Sequence, residues 1–184
     1  MVVPIQIGVI ALLAGAYFVY LTVGGPAETG PESAPSPVVG TIGTTRLVSG
    51  KGGFVIGVPE GVTATKIGKT VKLSTPDQTL VVTAGPVEGG SLSTSSEAFV
   101  RSLKETYTKV RVLGTQKQEV DGREALATFG QALNSRMVRV RFVNVVIAAK
   151  PQNYAINSFA WFDSDPQTVL PKVNAIVNSF TVLK

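Results

Sequence analysis

From Val2 to Val23 the chain runs without a charged side chain, and the first one is Glu28. As a helix rising ~1.5 Å per residue, this stretch is about 33 Å long, which matches the ~30 Å hydrocarbon core of a bilayer. It predicts one transmembrane anchor over residues 1–23. A cleaved signal peptide would carry a basic start, a shorter apolar centre and a small-x-small site at its end. No Lys or Arg precedes this run, and Ala14-Gly15-Ala16 sits in its middle, so a retained anchor fits better. Tyr17, Phe18 and Tyr20 gather towards one end, where an interfacial aromatic belt is expected. Gly8, Ala11 and Gly15 fall along one side, the last two at small-xxx-small spacing, and in lipid such a face lets another helix dock closely.

Residues 24–45 change character. Gly, Pro, Ser and Thr dominate, no core can form, and the segment reads as an extended tether. A coil of that length spans about 25 Å. Val38, Val39 and Ile42 are its apolar exceptions.

Residues 46–184 carry the patterns of one folded domain, expected on the extracytoplasmic side with the N-terminus inside. Phe54–Val58 is a strand stopped by Pro59-Glu60-Gly61, and 70–73 and 80–84 are further strands turned by Pro76-Asp77. Thr94-Ser-Ser-Glu97 has the form of a capping box, and Phe99, Leu103 and Tyr107 recur every four residues behind it, so a helix is expected. Residues 111–120 and 124–133 flank Asp121-Gly122, a strong hairpin signal. Residues 137–149 and 154–162 form two more strands, joined across Lys150-Pro-Gln-Asn153. Asp165-Pro166 starts a last helix with the apolar stripe Val169, Val173, Ile176, Val177 and Phe180. Phe142–Ala149 is apolar at odd and even positions alike, so that strand is covered on both faces. The expected fold class is α+β: a mainly antiparallel sheet flanked by helices, preceded by one transmembrane helix.

Composition narrows the chemistry. Cysteine and histidine are absent. That removes thiol nucleophiles, His/Cys zinc sites, Ser-His-Asp triads and lipidation through a cysteine. The 17 Lys and Arg all lie at or after Arg46, against 10 acidic residues there, a net +7 that suits anionic partners.

Three stretches resemble a known family. They are Gly53-Phe-Val-Ile-Gly-Val-Pro-Glu-Gly61, Val120-Asp-Gly-Arg-Glu-Ala125 and Ile176-Val-Asn-Ser-Phe180. Together, over about residues 50 to 184, they look like the PsbP-like sandwich superfamily, which includes the bacterial envelope proteins DcrB and LpqN. The resemblance implies an antiparallel sheet flanked by helices. It also implies a non-enzymatic role as accessory or assembly factor of a membrane complex, or as an envelope protein. No ligand motif of the family matches, so no binding residue is carried over. The helix would replace the lipidated cysteine of the lipoprotein members as anchor.

Among candidate sites, Arg136, Arg139 and Arg141 open the long strand, and Arg139 and Arg141 share a face on which they could hold an anion or a lipid headgroup. Lys66, Lys69 and Lys72 border a strand, and the domain could rest on anionic lipid if the two basic groups converge. Asp163 and Asp165 form a close carboxylate pair, but Asp165 is accounted for as a helix cap, so no metal and no cofactor is expected. Ser-x-x-Lys and a phosphate-binding glycine loop are both missing, and no enzyme is expected. Nucleic acid is not an expected partner, because aromatics do not interleave with the basic residues. The reading is a single-pass accessory or assembly subunit of a bacterial envelope membrane complex, its partners that complex and the lipid bilayer. The alternative is a lipid- or small-ligand-binding envelope module with a pocket near Trp161 and Phe99.

Overall fold

The computed structural model describes residues 44–183. The anchor, Gly8, Ala11 and Gly15, and all but the end of the tether lie outside the described residues. Among the described residues no helix is long and apolar enough to cross a membrane.

The elements are β1 (Thr44–Gly50), β2 (Phe54–Pro59), β3 (Thr63–Ile67), β4 (Thr70–Ser74), β5 (Leu80–Val87), α1 (Leu92–Thr106), β6 (Thr108–Val120), β7 (Arg123–Leu133), β8 (Arg139–Ile147), β9 (Asn153–Trp161), α2 (Pro166–Asn178) and β10 (Thr181–Val182). Seven strands form one antiparallel sheet in the order β3-β4-β5-β9-β8-β7-β6, and β1-β2-β10 form a small second sheet. After β5 the chain crosses through α1 to the far edge, β6, and returns strand by strand until β9 pairs with β5.

The large sheet has two covered faces. On its inner face Val71, Leu73, Leu80, Val82, Val143, Val145, Ile147 and Ile156 meet Phe54, Ile56 and Val58 of β2 and the predicted stripe of α2. Phe54, Phe180 and Tyr154 interlock there, with ring centroids 5.2–5.8 Å apart. On the outer face α1 lies over β6, β7 and β8. Phe99 packs on Phe142 and Phe159, and Tyr107 stacks on Phe159. The double-sided apolar pattern of the later strands is thereby explained, with the two helices on opposite faces.

Local signals mostly act where expected. Asp121 and Gly122 have φ of 54° and 68°, so the two-residue hairpin loop has both central residues left-handed, as a type I′ turn requires. Asp165 caps α2, accepting from the Gln167 N–H at 3.0 Å and the Thr168 hydroxyl at 2.8 Å.

The start of α1 is different. Its cap is Ser91, not Thr94: the Ser91 Oγ accepts the Thr94 N–H at 3.0 Å, and Glu97 takes the Ser93 hydroxyl instead of closing a capping box. The run of hydroxyl residues offers several caps, and the one used follows directly on the Gly89-Gly90 exit from β5. The long strand begins at Arg139, so Arg136 belongs to the preceding turn. Three strands carry no strong sequence signal. β3 is a short, largely exposed edge, and β1 and β10 exist through pairing with β2.

These pairings fix the two ends of the domain. Thr44 pairs with Pro59, close to Gly61 and the Thr75–Leu80 turn, and the chain therefore comes in at that proximal end. The β7–β8 turn and the loop after β9 are there too. The Gly50–Phe54 hairpin, Tyr154, the Asp121 turn and the C-terminus gather at the distal end, where the Leu183 N–H donates to the Gly53 carbonyl at 2.8 Å.

Candidate anion-binding site

At the proximal end the inner face of β6, β7 and β8 extends beyond the cover of α2 and the small sheet. Register places Arg111, Gln131 and Arg141 side by side across three strands, with Leu133 opposite Arg139 in the next row. Adjacent strands lie ~4.8 Å apart, so Arg111 and Arg141 are about 10 Å apart along the sheet, with the Gln131 amide between them. Phe162, just past β9, shares this face. The guanidinium carbons of Arg139 and Arg141 stand 4.6 and 4.2 Å from its ring centroid. Such contacts hold planar cations against the electron-rich face of a ring. Arg141 is buried and Arg139 exposed.

A bulge shapes the fourth member. Pairing of β6 with β7 slips between Thr108 and Arg111, and Lys109 in the slip has φ of 48°. Bulges re-aim side chains, and a non-glycine residue kept in the left-handed region is a cost that functional sites often carry. Lys109, Arg111, Gln131, Ala132, Leu133, Arg139 and Phe162 line a cleft of about 410 Å³. No ion pair with a described carboxylate ties down Lys109, Arg111 or Arg139; the Arg123–Asp121 pair, at 3.7 Å, is at the distal hairpin.

The structure thus unites Arg139 and Arg141 and separates Arg136 from them. Arg136 is exposed in the β7–β8 turn, its backbone N–H donated to Asn134 Oδ1 at 2.9 Å. The two basic groups do not converge. Lys66, Lys69 and Lys72 lie on or beside β3 and β4, with β5 and β9 between them and the arginines, and Lys72 is on the outer face. Lys109, Arg111 and Phe162 were not singled out in the sequence. The signal available was the alternation Lys109-x-Arg111 facing Arg139-x-Arg141, but only the register of β6 on β7 and β7 on β8 brings them together. Phe99 packs into the outer-face aromatic cluster, and Trp161, 47% exposed, is on the surface. The open grooves lie elsewhere on that face, between α1 and the β6–β7 edge, with volumes of about 470 and 570 Å³ and Ser93, Thr115 and Leu126 common to both.

No family model matches the sequence, and no curated protein matches it. Solved structures do. The solution structure of cyanobacterial PsbP (CyanoP) from Synechocystis sp. PCC 6803 is similar at a TM-score of 0.57 and 13% identity, over 83% of this chain and 99% of that one. The fold is PsbP-like. The crystal structure of LpqN, involved in cell envelope biogenesis of Mycobacterium tuberculosis, is similar at a TM-score of 0.53 and 15% identity, over 71% of this chain and 83% of that one. At such identities the PsbP-like scaffold is what is shared, and the side chains of the basic cleft stand on their own geometry.

Proposed function

We propose that this protein is a non-enzymatic, single-pass membrane-anchored accessory or assembly subunit of a larger envelope membrane protein complex, with its PsbP-like domain extracytoplasmic. The observation that carries the reading is the union of an uncharged 2–23 run with a tether and a basic folded domain. A helix that only anchors can be apolar all round; the Gly8, Ala11 and Gly15 side gives this one a surface for a neighbouring helix. The involvement of LpqN in cell envelope biogenesis agrees with an envelope role.

Purification of the full chain in a mild detergent is expected to recover a stoichiometric membrane partner, and photo-crosslinkers at Gly8, Ala11 or Gly15 should capture it where those on the opposite side do not. A clean monomer with no crosslink from either side would overturn the proposal. The second reading, a lipid- or small-ligand-binding module, draws on the grooves along α1. Lipid or a small hydrophobe co-purifying with the protein would favour it.

A further inference from the structure

We infer that the proximal corner of the domain is a docking surface for an anionic bilayer, with a lipid phosphate held in the cleft formed by Lys109, Arg111, Arg139 and Phe162. The inference rests on the anchored reading for the direction of approach and on the corner itself for the chemistry. Thr44, where the chain enters the domain, is at the same end as this cleft, while the C-terminal strand is at the other. A domain tied to a membrane through residue 44 brings this end within the tether's reach of the lipid.

The corner has the composition that an interface demands. Five basic residues, Lys109, Arg111, Arg136, Arg139 and Arg141, occupy the start of β6, the β7–β8 turn and the start of β8. Three large apolar side chains are exposed at the same end of the sheet: Met137 at 64%, Trp161 at 47% and Val138 at 36%. Val140 and Trp161 are cross-strand partners, so the tryptophan is at this end on the face opposite Arg139 and Arg141, at the rim of the corner. Basic residues attract the phosphates, and an exposed Trp with aliphatic neighbours enters the headgroup layer. The nearest acidic groups on the loop after β9 are Asp163 and Asp165, and Asp165 is committed to the cap of α2. Phe162 holds the Arg139 guanidinium against its ring at the cleft, and a phosphate between Arg139 and Arg111 would accept charge-assisted bonds from both.

Trp161 is the sole tryptophan of the chain and reports on the corner directly. The full chain is reconstituted into phosphatidylcholine vesicles with or without phosphatidylglycerol, each containing a headgroup-depth brominated lipid. The expected result is quenching of Trp161 only with phosphatidylglycerol, relieved by high salt. The Arg111→Gln/Arg139→Gln double variant should shift the midpoint of the phosphatidylglycerol titration by roughly 25-fold, about five-fold per basic residue lost. Both side chains are exposed, and an unchanged circular dichroism melt verifies the fold.

No quenching in a chain that stays with vesicles through alkaline carbonate would overturn the corner and leave the anchor standing. Release by carbonate would overturn the anchor, while quenching by phosphatidylglycerol in the released protein would still support the corner. Equal quenching in both vesicle types, or no effect of the double variant, would overturn it. Inorganic phosphate, added alone and followed by Trp161 emission, separates the sources: a saturable change from phosphate with none from phosphatidylglycerol vesicles would overturn a lipid and assign the cleft to a soluble anion.

Discussion

Asp77 shows how far a few hydroxyls can bias one side chain. It is solvent-exposed in the β4–β5 turn, yet its carboxyl is held down at about 2 by the Thr75 hydroxyl and then by the backbone and hydroxyl of Thr79, which donate to Oδ1 at 3.1 and 2.8 Å. Bonds to the charged form favour it, so this group's contribution to stability is fully present above its ordinary value of 3.8 and is lost as pH falls through about 2. NMR titration of Asp77 should give a midpoint near 2, and Thr79→Ala should raise it towards 3.8. An unchanged midpoint would show that the Thr79 hydroxyl is not holding the carboxylate. At Gly130 the limit is steric. A Cβ there would run into the Arg111 carbonyl and the Phe142 ring. Gly130→Ala is expected to destabilise by about 1–3 kcal/mol in urea denaturation, because the Phe142 ring is fully buried and the Arg111 carbonyl belongs to the backbone paired with β7. Burial raises the Tyr107 phenol, whose ring is stacked on Phe159 at 5.6 Å.

Elements add what single residues cannot. α1 is held from its middle to its C-terminal cap by the Phe99, Tyr107, Phe142 and Phe159 rings, but its N-terminal half crosses a polar row of the sheet. Thr115, Thr128, Asn144, Asn157 and Thr83 are successive cross-strand neighbours there. Ser96 of α1 meets the Thr128 hydroxyl at 2.7 Å, and Asn144 donates to Asn157 Oδ1 at 2.7 Å. The Thr128 hydroxyl also meets that of the exposed Thr115 at 3.3 Å, so removing Thr128 strands the buried Ser96 hydroxyl, removing Ser96 leaves Thr128 only its longer bond, and removing both leaves no buried hydroxyl of the pair unmatched. Ser96→Ala and Thr128→Val should therefore each cost about 1–2 kcal/mol and together clearly less than their sum, which a thermodynamic double-mutant cycle would measure. Strict additivity would mean that the two hydroxyls do not act as a pair. The cap is a separate matter: Ser91→Ala should cost about 1 kcal/mol and Thr94→Ala less, the reverse of the order suggested by the Thr94–Glu97 spacing.

At the scale of the whole molecule, the inner core extends from Val48 to Phe180 and joins the first described strand to the last helix. Unfolding should be one cooperative transition, with coincident tryptophan fluorescence and circular dichroism curves; separate transitions would mean that the two sheets unfold independently. Much of this was legible along the chain. The Asp121-Gly122 hairpin, the Asp165-Pro166 start of α2 and the double-sided Phe142–Ile147 strand are local devices, set by φ preferences, side-chain caps and the period of two. So was the separation of an uncharged N-terminal run from a basic folded domain, which depends on composition alone. Tertiary structure decided which charges are neighbours. Arg136 and Arg139 are three residues apart and part company at a strand end, whereas Arg111 and Arg141 are thirty apart and share a row. Strand register and the order of strands in a sheet are properties of long-range pairing, which the closing of β6 and β8 on β7 fixes only when the whole core forms. Sequence thus set the elements, the anchor-like run and the sign of the charge, and packing determined where that charge is concentrated.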